Sequence, residues 1–257
     1  MKQIEIAILN PASVMDIEKD LMAAARITQH GHEIHTVKDF EELYNKPFTQ
    51  DAVRSMCALP HPTLQKFGVI NVIVVGASRR FLAQITRHQN EVKFMSASLQ
   101  YSDYSDEAAF AIPYDMLDKP EVKNSYIAAC KAAMYGYKGY IAAGVGNDSA
   151  GYIMPQSLRN VLMISATPYQ WKHMIAQRVC RRNTDETRIV MLKIWAGLYD
   201  FLPNIFAPST TGPFCMTGFC AEGKMSCGDA ISATMLPKQI LHADYPLLFE
   251  EVGTNEN

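Results

Sequence analysis

The chain has 257 residues, 48% of them apolar and 19% charged, and its 24 Lys and Arg nearly balance its 26 Asp and Glu for a formal charge of -2. That composition supplies a sizeable buried core and excludes wholesale disorder. Without a basic excess, a general nucleic-acid binder is disfavoured, while an anionic small molecule needs only a few local cations. No segment reaches the roughly 18 uninterrupted apolar residues of a membrane span. The start, MKQIEIAILN, alternates like a strand and lacks the apolar region of a signal peptide, so a cytoplasmic protein is expected. Six cysteines in so long a chain do not read as a disulfide scaffold.

Residues 3–9 (QIEIAIL) predict a first strand, ended by Asn10-Pro11, and Ser13 or Asp16 can cap a helix over 16–29. HEIHTV at 32–37 alternates again and predicts a second strand. Residues 39–57 read as polar helix and loop broken by Pro47. LPHPTLQKF at 59–67 is irregular, because Pro60 and Pro62 remove donors and restrict their neighbours. The β-branched run VINVIVV at 69–75 predicts a strand. Ser78 then opens a helix, SRRFLAQITRHQ, with Phe81, Leu82 and Ile85 on one face. FMSASLQYSDYS at 94–105 predicts loop and short extended structure, and 110–113 another short strand. Pro120 opens a long helix that Gly144 and Gly146 stop. Residues 157–164 predict a strand or extended arm, and two helices follow, from Thr167-Pro168 and from Thr184-Asp185. The tail from 203 is rich in Pro, Gly and Cys and predicts loops. No repeat or linker divides the chain, so 1–257 reads as one domain of α+β (mixed α/β) class.

No GxGxxG follows a strand, so a Rossmann dinucleotide site is not expected. GFCAEGKM at 218–225 has phosphate-loop spacing but lacks both the Ser/Thr for magnesium and a preceding strand. Cys215, Cys220 and Cys227 lie close together in the tail, yet their gaps of four and six residues do not match the CxxC of a structural zinc site. His30 and His32 share a strand face that His35 does not, so no metal is expected at either cluster. The more informative stretch runs from Gln84 to Tyr101. Arg87 and His88 end a helix there, ahead of a loop dense in hydroxyls and amides, and arginine offers forked donors to phosphate or carbonyl oxygens. Arg178 is a second basic point, on the helix WKHMIAQRVCRR, with His173 five residues before it.

Taken together, these pieces resemble the flavin-dependent thymidylate synthases. Arg87-His88, Ser98-x-x-Tyr101, GVGNDSAGYIMP at 144–155 and an arginine 23 residues past Pro155 recur in that family's order. The family pattern is RHR, a serine about seven residues on, RY, GVxxExARxxLP and a helix bearing HFxxLR. The chain departs from it at Gln89, Gln100 and Gly151, where the family has arginine, and its earlier HxSxxEH segment survives only as His61-x-Thr63. After Arg178 the family's AQWEIR reads Asn183-Thr184-Asp185-Glu186-Thr187-Arg188.

The resemblance implies long helices on a small, mostly antiparallel sheet, the thymidylate synthase-complementing protein fold. It implies FAD as cofactor, NADPH and methylenetetrahydrofolate as co-substrates, and reductive methylation of dUMP to dTMP. The missing arginines motivate two alternatives: methylation or hydroxymethylation of UMP or dCMP, or a flavin-binding homologue without activity. By position, Arg178 matches the arginine at the uracil carbonyl edge. Gln84, Arg87, Ser98, Leu99 and Gln100 match nucleotide contacts. Thr63, Arg87, His88, Gln89, Thr167, Pro168, Tyr169 and His173 match flavin contacts. Arg79, Arg80, Lys93, Arg159 and Arg182 are candidates to replace the lost cations. The family builds its sites between subunits of a homotetramer, and the same is expected here, with no nucleic-acid or membrane partner.

Overall fold

The computed structural model describes residues 4–105 and 109–250. Alternating apolar residues build a four-stranded antiparallel sheet in the order β1-β2-β4-β3: β1 (Glu5–Ile8), β2 (Ile70–Ser78), β3 (Lys93–Ser96) and β4 (Arg159–Ala166). The register pairs Val72 with Ile164 and Val74 with Leu162, so buried residues of the two central strands stand opposite each other. Between Val75 and Ala77 the register shifts. Gly76 forms this bulge at φ +88, a conformation that favours glycine, and a Cβ there would also push the Arg159 guanidinium aside.

Helices α1 (Pro11–Met15), α2 (Ile17–His30), α3 (Val37–Tyr44) and α4 (Gln50–Ala58) precede β2, and α5 (Arg79–Ile85) follows it. The long α6 (Pro120–Ala142) and short α7 (Asn147–Ala150) lie between β3 and β4. After β4 come α8 (Pro168–Arg178), α9 (Asp185–Phe201) and α10 (Pro237–Asp244). The centre is α9, which packs against β1, β2, α5, α8 and α10. Its Ile189, Val190, Met191, Leu192, Ile194, Trp195 and Leu198 are all fully buried, as a helix apolar nearly all round must be. Each such side chain contributes about 1.5–3 kcal/mol. The end of the fold is tied in by charge. Asp244 on α10 accepts from Arg181 at 2.9 Å and from the buried Arg188, whose Nη1 also donates to Tyr245 Oη at 2.7 Å.

The other face of the sheet is uncovered in a single chain. Val75, Met95, Val161 and Met163 are all exposed on it, with Val75 paired to Val161 and Met95 to Met163. No helix among the described residues is long and apolar enough to cross a membrane.

Four expectations change. Residues 32–37 form no strand: a 3-10 turn covers Gly31–Glu33, and Thr36 starts α3 with a capping box. Thr36 Oγ1 accepts from Asp39 N at 3.2 Å, Asp39 Oδ2 accepts from Thr36 N at 2.8 Å, and this local start signal overrides the alternation. The short extended structure expected within 94–105 is β3, made by pairing to β4, whereas the helix expected over 78–89 stops at Ile85 and leaves Arg87 and His88 in a turn. The expected strand at 110–113 is reduced to one bridge, Phe110 to Leu158. The loop-like tail contains α10, opened by Pro237.

Candidate active site

Two elements bring the basic residues together. Helix α5 starts at Ser78, whose Oγ accepts from Phe81 N at 3.1 Å. Ser78 also donates from its backbone N to Glu186 Oε1 at 2.7 Å and from its hydroxyl to the other carboxylate oxygen, bolting α5 to α9. Beyond α5 the chain turns through Arg87, His88, Gln89 and Asn90. Glu91 closes this turn in the left-handed region at φ +57, a conformation costing of order 1–3 kcal/mol in a non-glycine residue. Its carboxylate accepts from Lys66 at 3.3 Å and from Gln170 of α8 at 3.4 Å, which holds the turn against that helix. Helix α8 is capped by Thr167, which accepts from Gln170 N at 3.4 Å, with Pro168 in its first turn.

Arg178, at the end of α8, reaches into the turn. Its Nε donates to His88 Nε2 at 2.8 Å and its Nη2 to the Gln84 carbonyl at 3.0 Å. Its Nη1 lies 3.5 Å from Asn183 Oδ1. No carboxylate is among these partners. Burial, then the neighbouring Arg87, pull the Arg178 pKa below its ordinary value, though a guanidinium remains charged in a protein. Burial first, then Arg178 and His173, push the His88 pKa down to about 4. His88 is therefore neutral near pH 7, and its accepting Nε2 assigns the ring proton to Nδ1.

These residues line a cleft of about 500 Å³. Arg87, His88, Gln89 and Asn90 form one wall and Tyr169, His173 and Gln177 the other. The His88 and His173 rings meet edge to face at 5.9 Å, and Gln177 Nε2 lies 2.9 Å from His173 Nε2. The lining holds guanidinium, imidazole and amide groups and no carboxylate, a donor-rich surface suited to an acceptor-rich or anionic ligand.

Ser98, Leu99 and Gln100 stand elsewhere. They line a second cleft, of about 380 Å³, with Arg79, Asp148, Gly151 and Tyr152, and it shares no lining residue with the first. Ser98 Oγ accepts from Gln100 N at 3.1 Å, shaping the turn. Gly151 lets that turn close in, since a Cβ there would lie 3.3 Å from Leu99 Cβ.

Of the residues singled out in the sequence, Arg87, His88, Gln89, Tyr169, His173 and Arg178 share the first cleft, and Ser98, Leu99 and Gln100 the second. Thr167 and Pro168 shape the start of α8. The Gln84 side chain is taken up by the Thr184 and Thr187 hydroxyls, while its backbone carbonyl receives Arg178. Thr63 is exposed on a 3-10 turn, Pro62–Lys66, that packs beside α8, and it lines neither cleft. Sequence reasoning missed Asn90, Gln170 and Gln177 in the first cleft and Asp148 and Tyr152 in the second. Gln177 stands one helical turn after His173, a spacing that signals a shared face.

Cys180, Cys215, Cys220 and Cys227 line a further cavity, of about 600 Å³, that borders Arg178. No group of three or more His, Cys, Asp or Glu among the described residues is placed to hold a metal ion. GFCAEGKM at 218–225 lies in loop and a 3-10 turn with no strand before it.

The family model described as "Thymidylate synthase complementing protein" matches residues 12–204. The chain is 25% identical over 171 residues to the flavin-dependent thymidylate synthase of Thermococcus onnurineus, covering 64% of this chain and 69% of that protein. It is 22% identical over 184 residues to the one from Geobacter sulfurreducens, covering 71% and 78%. Among solved structures, it resembles the UMP/dUMP methylase PolB of Streptomyces cacaoi bound with 5-Br dUMP, with TM-score 0.62, 15% identity, and 79% and 93% of the two chains covered. It also resembles Thymidylate Synthase X of Helicobacter pylori with FAD and dUMP, with TM-score 0.60, 16% identity, and 79% and 97% covered. These two likenesses concern the fold. The match of the family model over most of the chain places this protein in the thymidylate synthase complementing protein family, that of the flavin-dependent thymidylate synthases.

Proposed function

We propose that this enzyme methylates C5 of a pyrimidine nucleotide with a bound FAD. The leading reaction is dUMP to dTMP, with methylenetetrahydrofolate as carbon source and NADPH as reductant. The observation that carries this reading is Arg178, held by the His88 imidazole and the Gln84 carbonyl with no carboxylate partner, at the edge of a donor-rich cleft. FAD is rich in acceptor oxygens and nitrogens and carries a diphosphate between its flavin and adenosine halves, and a cleft without carboxylates fits it. Arg87, His88, Gln89, Tyr169 and His173 would hold it, and when bound it supplies the redox chemistry.

Arg178 would grip the carbonyl edge of the pyrimidine. Its fixed charge would stabilise negative charge developing on that ring, and its rigid anchoring means little reorganisation during reaction. Neutral His88 accepts from Arg178, so it orients the guanidinium without competing for positive charge. No cysteine nucleophile lines the cleft, and none is required.

Two half-sites with no shared lining residue support a shared active site, the first cleft of one subunit facing the second cleft of another. The uncovered apolar sheet face supports assembly, and we propose a homotetramer working in the cytoplasm. Gln100 and Gly151, at positions where the family has arginine, favour a second reading in which UMP or dCMP is the substrate.

The test is direct. Purified protein should be yellow or take up added FAD. With NADPH and methylenetetrahydrofolate, mass spectrometry should find dTMP from dUMP. Arg178→Ala should retain flavin and fold while losing about 100-fold or more in turnover. A protein that never binds FAD, or an Arg178→Ala variant with normal turnover, would refute the proposal. Methylated product from UMP or dCMP alone would select the second reading.

A further inference from the structure

We propose that Arg79 anchors the phosphate end of the pyrimidine nucleotide, in the cleft lined by Ser98, Gln100, Gly151 and Tyr152. The inference rests on the nucleotide reading above and goes beyond it by singling out, among the sequence's candidate cations, a phosphate contact that the family pattern does not supply. The pattern's arginines are missing at 100 and 151, and both positions border this one cleft. Arg79 is the one cation among the cleft's lining residues.

Three features suit it to the task. Its root is immobile: Arg79 N donates to Leu158 O at 3.0 Å, and the preceding Ser78 is held by the Glu186 carboxylate. Its guanidinium has no hydrogen-bond or ion-pair partner among the described residues, whereas those of Arg26, Arg178, Arg181 and Arg188 are all engaged. A planar fork with free donors matches a phosphate bidentately. The Ser98 hydroxyl completes the subsite. Its oxygen already accepts from the Gln100 amide, so its own proton is left to donate to a ligand. Asp148 lines the same cleft, so a phosphate there depends on the geometry of the Arg79 fork more than on surplus positive charge.

The experiment uses calorimetric titration of the flavin-loaded protein with dUMP, UMP and dCMP, then with the nucleoside matching whichever binds tightest. Arg79→Ala should weaken the nucleotide by about 10- to 100-fold, the value of one charge-assisted contact, and leave the nucleoside unchanged. Arg79→Lys should recover part of the loss. Turnover at saturating nucleotide should stay near wild type while KM rises. Unchanged nucleotide affinity in Arg79→Ala would overturn the inference and leave the proposed function standing. Equal loss of nucleotide and nucleoside would also overturn it, marking a merely structural arginine. A wild-type protein that binds none of the three nucleotides would remove the proposed function and this inference with it.

Discussion

His88 and Arg178 depend on one lone pair. Their 2.8 Å bond exists only while His88 Nε2 carries no proton, and burial with two basic neighbours keeps it so down to about pH 4. In an unfolded chain the same imidazole titrates near ~6.5. Between those values the unfolded state binds a proton that the folded state refuses. His88 therefore makes stability rise with pH across that window, with its contribution complete above it and lost as pH falls toward about 4. Urea melts across that range should show a shallower slope for His88→Asn, and the His88 ring followed by NMR should stay neutral well below pH 6; a ring titrating at an ordinary histidine value would contradict the buried geometry. The cleft was partly legible at this scale. Arg87, His88, His173 and Arg178 stood out because type, order and spacing travel along the chain. Arg79 appeared only as one of several candidate cations, because its neighbours Ser98, Gln100 and Gly151 are brought to it by β4 and the loops around it.

Helix α9 shows what an element can and cannot announce. Its apolar run and acidic first turn were readable as a helix, but its partner α10 was hidden in a tail whose Pro, Gly and Cys dominate the composition. The two are joined by Asp244. Burial alone would raise its pKa, but hydrogen bonds from Arg181 and Arg188 outweigh this and hold it below the usual carboxylate range. Its contribution is therefore present above the unfolded value of about 3.9 and is lost only as pH falls through the lower folded value. Asp244→Ala would strand the buried Arg188 charge and should cost about 3–5 kcal/mol in urea unfolding, because the desolvated guanidinium keeps only its neutral partners. A cost below about 1 kcal/mol, the value of an exposed pair, would mean the clamp is solvated. Strand β3 was legible only as short extended structure, because four residues carry a weak alternation and pairing with β4 sets its bounds. At 32–37 the opposite happened, and a local capping box defeated a false alternation.

At the scale of the whole molecule, the exposed apolar sheet face and the two separate clefts are the features on which the proposed assembly rests. Light scattering should report a tetramer. Met163→Glu, placing a charge where Ile73 and Met95 stand opposite, should yield smaller, folded species with little turnover; a variant of unchanged mass and activity would show that this face is not an interface. The bulge at Gly76 bears on all of this. Pairing two residues of β2 against one of β4 there reverses which side of the sheet each later side chain meets, and so directs Ser78 toward Glu186. A chain lacking residue 76 could still zip β2 to β4, but α5 would begin half a turn out of phase. The Gln84 carbonyl and the His88 ring would then swing away from Arg178, dismantling the candidate cleft through one missing glycine some distance from it.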